Sequence, residues 1–82
     1  MKSRDEVLSL VRSHLAEELE VAEGEIAEGT RFKEDLDADS LDLYELVMEL
    51  EDRYGIAVSE EQAAGIKTVG DAVDFVVERA PA

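Results

Sequence analysis

Apolar side chains in this sequence recur at steps of three and four residues and nowhere alternate over a useful length. That spacing gathers them on one face of a helix, whereas a half-buried strand needs a period of two. The chain can therefore bury its apolar groups only by packing amphipathic helices against one another. Breakers divide it: Gly24 and Gly29 mark one loop region, Gly55 a second, Gly65 and Gly70 flank the last connection, and Pro81 closes the chain. Ile56-Ala57-Val58 is the best extended candidate and is too short for a sheet. The expected fold is all-α: a small four-helix bundle of three main helices and one short one, with a long first loop.

The first helix is expected from about Arg4 to Leu19. Ser3-Arg4-Asp5-Glu6 has the form of a capping box, and Val7, Val11 and Leu15, with Leu8 beside them, make one apolar stripe. The segment 20–39 is long for a loop, and Ile26, Phe32 and Leu36 are expected to pin it to the core. Asp39 is a good N-cap for a second helix that ends at Gly55. A short third helix fits Ser59 to Ile66, where Ser59 and Gln62 again match a capping box. The fourth runs from Thr68 to about Arg79 with Val69, Ala72, Val73 and Val76 inward.

With 82 residues and 45% apolar side chains, the composition is that of one small globular domain, 1–82. Acidic residues number 22 against 8 basic ones, a net charge of −14. Such a surface cannot displace counterions from phosphates, which excludes a general nucleic-acid binder, and it is repelled by anionic membranes. No cysteine is present, so thiolate catalysis, disulfides and cysteine zinc sites are excluded. The single histidine, His14, is too little for an ordinary triad or a multi-histidine metal centre. No apolar run approaches the ~18 residues of a membrane span, and a signal-peptide core is lacking. A cytoplasmic monomer is expected.

The second helix carries more apolar surface than one packed face needs. Leu43, Leu46, Val47, Leu50 and Tyr54 supply an inward stripe, and Leu41, Tyr44 and Met48 form another. From Glu34 to Asp52 there are nine acids and no base. Apolar groups rimmed by one sign of charge mark a partner surface, whereas a helix buried on both sides would hide the second stripe. Ser40 stands at the first helical position beside Asp39, which caps better and leaves the serine hydroxyl to project into solvent. An anion there gains from the helix N-terminus but is opposed by the flanking carboxylates.

Asp35-Leu36-Asp37-Ala38-Asp39-Ser40-Leu41-Asp42, followed by Glu45-Leu46-Val47-Met48, resembles the prosthetic-group site of acyl carrier proteins. The likeness covers about Val7 to Val77 and is greatest to the freestanding bacterial type used in fatty-acid synthesis. It implies that Ser40 bears 4′-phosphopantetheine, installed from coenzyme A by a carrier-protein synthase that supplies the magnesium. The terminal thiol of that arm would hold acyl chains as thioesters, so the protein would be a carrier and not an enzyme. The resemblance further implies that Asp39, Asp42, Glu45, Glu51 and Asp52 meet basic patches on fatty-acid synthesis enzymes. Leu41, Tyr44 and Met48 would make the apolar contacts between them. Phe32, Leu50, Ala63 and Ile66 would line the cavity for the acyl chain.

The sequence departs from the family pattern at Asp37, where Gly is common, at Tyr44, where a small aliphatic residue is usual, and at Ser59, a frequent Pro. A carrier of a type II polyketide pathway remains an alternative, as does an acidic interaction adaptor without a prosthetic group. Asp35, Asp37 and Asp39 match positions 1, 3 and 5 of a calcium loop, but position 6 is Ser40 and position 12 is Leu46, where Gly and Glu are required. No dedicated metal site is expected, only weak bridging of Asp35, Asp37 and Asp39 or the helix acids by divalent cations. Ala-Asp-Ser-Leu-Asp is not a nucleophile elbow, and His14 belongs to another helix.

Overall fold

A computed structural model describes residues 3–79. Four α-helices follow in order: α1, Arg4–Leu19; α2, Ser40–Tyr54; α3, Glu60–Ala64; and α4, Val69–Arg79; a 3-10 turn, Glu23–Glu25, lies between α1 and α2. The all-helical bundle with one short helix is as expected. Pro81 lies outside the described residues. The last two helices are shorter than in the sequence reading: α3 covers Glu60–Ala64 rather than Ser59 to Ile66, with Ser59 as its N-cap, and α4 starts at Val69 rather than Thr68.

Caps explain where the helices start. The Ser3 hydroxyl accepts the Glu6 N–H at 3.1 Å, forming half of the expected box. At α2 the Asp39 carboxylate accepts the Asp42 N–H, and the Asp42 carboxylate accepts the Asp39 N–H. Ser59 and Gln62 exchange the same two bonds at α3. Thr68 and Asp71 do so before α4. Each cap of this kind stabilises its helix by about 1 kcal/mol. Gly55 ends α2 in the left-handed region at φ 66°, and Glu20 ends α1 there at φ 57° although it carries a side chain.

The core joins Val7, Val11 and Leu15 of α1 to Leu46 and Leu50 of α2 and to Val69, Ala72, Val73 and Val76 of α4. Ile26 and Phe32 enter it from the long loop, as expected, with Leu36 half-buried against it. Backbone bonds fix that loop to the start of α4: Phe32 N–H to the Lys67 carbonyl (3.0 Å), Val69 N–H to Thr30 (2.9 Å) and Gly70 N–H to Glu28 (2.7 Å). Among the described residues the one strand-like pairing is a bridge between Arg31 and Thr68. Gly70 is a packing glycine, since a Cβ there would meet the Glu28 carbonyl oxygen at 2.9 Å.

Candidate functional site

The chain reaches the head of α2 through a tight turn that starts at Arg31. The Asp35 carboxylate accepts the Arg31 N–H at 2.8 Å and its guanidinium at 3.1 and 3.3 Å. Those bonds hold the Asp35 carboxyl below its usual range. The Ala38 N–H then bonds the Phe32 carbonyl at 2.9 Å. Asp37 adopts φ 54°, which gives a physical reason for the glycine usual at this place. Asp39 follows in extended conformation and caps α2.

Ser40, the first residue of α2, is exposed, and its hydroxyl has no partner among the described residues. None of the other four serines combines a free hydroxyl with a helix start and the cavity described next, although Ser9 and Ser13 are also exposed. Ser3 and Ser59 spend their hydroxyls on caps, and Ser9 and Ser13 lie within α1. Ser40 also borders a half-open cavity of about 400 Å³ between the turn, α2 and the α3 region. Phe32, Ala38, Ala63 and Ile66 give it apolar wall, and Lys33 and Lys67 line it too. Leu50, expected with that wall, does not line it. Leu50 is buried in the core on the inward stripe of α2.

The second apolar stripe of α2 is in solvent: Leu41 is 64% exposed, Met48 60% and Tyr44 44%. A helix buried on two sides is thereby excluded. Around the stripe, Glu45 and Asp52 are exposed, while Asp42 is tied into the cap and Glu51 accepts the Val58 N–H at 2.9 Å. The nine acids are not wholly uncompensated. Arg31 approaches Glu34 at 3.6 Å as well as Asp35, and Arg53 approaches Glu49 at 3.8 Å. Asp35, Asp37 and Asp39 do not converge, because Asp35 turns to Arg31 and Asp39 to the Asp42 N–H, so bridging of those three by a divalent ion is not set up. The carboxylates that do crowd are Glu18, Asp42 and Glu45, within 4.8 Å of one another, with His14 bonded to Glu18 at 3.1 Å.

The phosphopantetheine attachment site family matches residues 9–76 of this chain. An acyl carrier protein of Rubrobacter xylanophilus is 48% identical over 75 residues, covering 92% of this chain and 93% of its own length. The chain belongs to the acyl carrier protein family. Another acyl carrier protein, from Prochlorococcus marinus, is 49% identical over 74 residues, covering 90% of this chain and 92% of its own. A solved structure of the Enterococcus faecalis acyl carrier protein superposes with a TM-score of 0.83 at 37% identity, covering 96% of this chain and all of that one. Membership makes the chain a carrier of acyl groups on covalently attached phosphopantetheine, which sets aside the adaptor without a prosthetic group. No helix among the described residues is long and apolar enough to cross a membrane.

The site geometry fits such a group. A hydroxyl with no partner can take a phosphodiester without breaking a bond of the fold, and a half-open cavity with apolar wall lies beside it. Ala38, Leu43, Lys33 and Lys67 border the cavity and were not picked out from the sequence. Ala38 and Leu43 flank Ser40 and read as ordinary core residues, and nothing local singles out the two lysines.

Proposed function

We propose that Ser40 bears the phosphopantetheine arm and that the protein carries acyl intermediates between enzymes of fatty-acid synthesis. The carrying observation is the exposed, unpartnered Ser40 hydroxyl at the head of α2, opening on a cavity with apolar wall. When bound, the arm supplies a thiol that this cysteine-free chain lacks. The reciprocal bonds of Asp39 and Asp42 fix the first turn of α2 and with it the direction in which Ser40 leaves the helix. No described side chain hydrogen-bonds the Ser40 hydroxyl, so in this reading the base that takes its proton comes from the carrier-protein synthase. Phe32, Ala63 and Ile66 shelter apolar cargo.

Partner enzymes meet α2 in two stages. Exposed carboxylates, chiefly Glu45, Asp52 and Asp39 with the shared charges of Asp42 and Glu51, draw in basic patches from a distance. Leu41, Tyr44 and Met48 then bury apolar surface and set how long the complex lasts. In this reading the chain is one carrier domain over 1–82, a cytoplasmic monomer, and performs no catalysis itself. Incubation with coenzyme A, magnesium and a carrier-protein synthase tests it. Intact mass should rise by one phosphopantetheine in the wild type and not at all in Ser40→Ala, whose helical circular dichroism should be unchanged. No gain with a synthase active on another carrier would overturn the reading.

A further inference from the structure

Most of the basic side chains in this acidic protein have visible work. Arg4 pairs with Glu28 and Asp74, Arg12 donates to the Glu23 carbonyl, Arg31 holds Asp35, Arg53 approaches Glu49, and Arg79 lies over the Phe75 ring. Lys33 and Lys67 differ: among the described residues their ammonium groups have no hydrogen bond, ion pair or ring contact. Both line the cavity beside Ser40. They arrive from different segments, Lys33 from the turn before α2 and Lys67 from the connection between α3 and α4. The bond from Phe32 N–H to the Lys67 carbonyl locks those segments together. In a chain with 22 acids, two exposed lysines border one cavity and neither has a carboxylate partner among the described residues, so their charges are free to meet an anion from outside the chain.

An anion on Ser40 needs such help. Glu34, Asp39 and Glu60 line the same cavity, so without the lysines its charged residues would all be negative. The helix N-terminus is only partly available, because the Asp42 N–H is already donated to Asp39. We propose that Lys33 and Lys67 together hold the phosphodiester that joins the arm to Ser40, leaving the apolar wall to the acyl chain. This rests on Ser40 as the attachment residue. A carboxylate at the far end of a dicarboxylic cargo has similar chemistry, but the wall of Phe32, Ala38, Ala63 and Ile66 suits an apolar chain, and the anion fixed at Ser40 is present whatever the cargo.

The test compares wild type with the double variant K33Q/K67Q, each in apo and holo form. Intact mass first verifies that each holo sample carries one group, which separates failure of attachment from failure of the clasp. The phosphorus resonance of the arm and the lysine side-chain resonances are then followed at about 0.01 M and about 1 M salt, where the Debye length falls from ~30 to ~3 Å. On conversion to the holo form the Lys33 and Lys67 resonances should shift, and the phosphorus resonance of K33Q/K67Q should differ from wild type at low salt and converge at high salt. The holo-minus-apo melting difference should be about 2–4 °C smaller in the variant at low salt, the size expected of exposed ion pairs in a small domain. Lysine resonances identical in apo and holo protein, with a phosphorus resonance indifferent to the substitutions, would overturn the clasp. So would lysine shifts that appear only after loading a carboxylate-terminated acyl group, since the cations would then be reading cargo.

Discussion

At the scale of single residues, the chain reaches the proposed attachment residue, Ser40, through a turn that Arg31 and Asp35 hold closed. The Arg31 guanidinium and N–H keep the Asp35 carboxyl below its usual 3.8, so the charged form is favoured in the folded chain. A depressed carboxyl contributes stability that is fully present above its unfolded pKa and is lost as pH falls through the folded one. The melting temperature of wild type should therefore exceed that of Asp35→Asn at pH near 6, with the gap closing as the pH drops below 3.8. Thermal melts of both proteins across that range check this, and a gap independent of pH would contradict it. The Arg31–Asp35 pairing is only half legible in the sequence: Asp35 lies within the family motif, but nothing there links it to Arg31. Residues four apart in a loop carry no periodic signal, and only the turn itself brings them together. The strain at Asp37 is similar, visible in sequence as a departure from Gly and explained only by φ 54°.

At the scale of elements, helix starts and stops were readable because caps are local chemistry. Asp39 with Asp42 and Ser59 with Gln62 lie three residues apart, and their bonds form within the first turn. The α1 terminus is the weak point, since Glu20 holds the left-handed conformation that Gly55 holds at α2. Glu20→Gly should raise stability by about 1 kcal/mol and the melting temperature by ~4–8 °C, by relieving the backbone and removing a negative charge from a helix C-terminus. A melting temperature that does not rise would contradict the strain at this cap. On α2 the split between charge and apolar contact gives a kinetic expectation. Met48→Ala should speed dissociation from a partner enzyme roughly fivefold, the equivalent of about 1 kcal/mol, with association unchanged. Glu45→Lys should chiefly slow association, and less so at high salt. Stopped-flow rates that move the other way would undo this division. The long loop was the least legible element. Its bonds from Phe32 to Lys67 and from Gly70 to Glu28 join residues about 35 and 42 apart in sequence, a pairing that no local pattern announces.

At the scale of the whole molecule, a charge of −14 on a small surface works against compactness. Repulsion is concentrated where Glu18, Asp42 and Glu45 crowd between α1 and α2. Raising salt should increase the melting temperature, and Glu18→Gln should raise it at low salt, with the gain shrinking as salt screens the trio. Glu49→Gln should gain less, because Glu49 already faces Arg53. Melting temperatures equal at low and moderate salt would show that the apolar core alone limits stability. The charge itself was legible at once, but where it crowds was not, because that depends on how two helices meet. The same holds for the cavity, whose wall comes from the loop, α2, α3 and the segment leading into α4. The central claim is that this fold presents one serine, Ser40, for the arm, while Ser3 and Ser59 are spent on caps and Ser9 and Ser13 lie within α1. Fragment-ion mapping of the loaded protein tests it most directly. The account predicts that all of the added mass falls on Ser40. Added mass on any of the other four serines, or on Ser40 and another together, would contradict it.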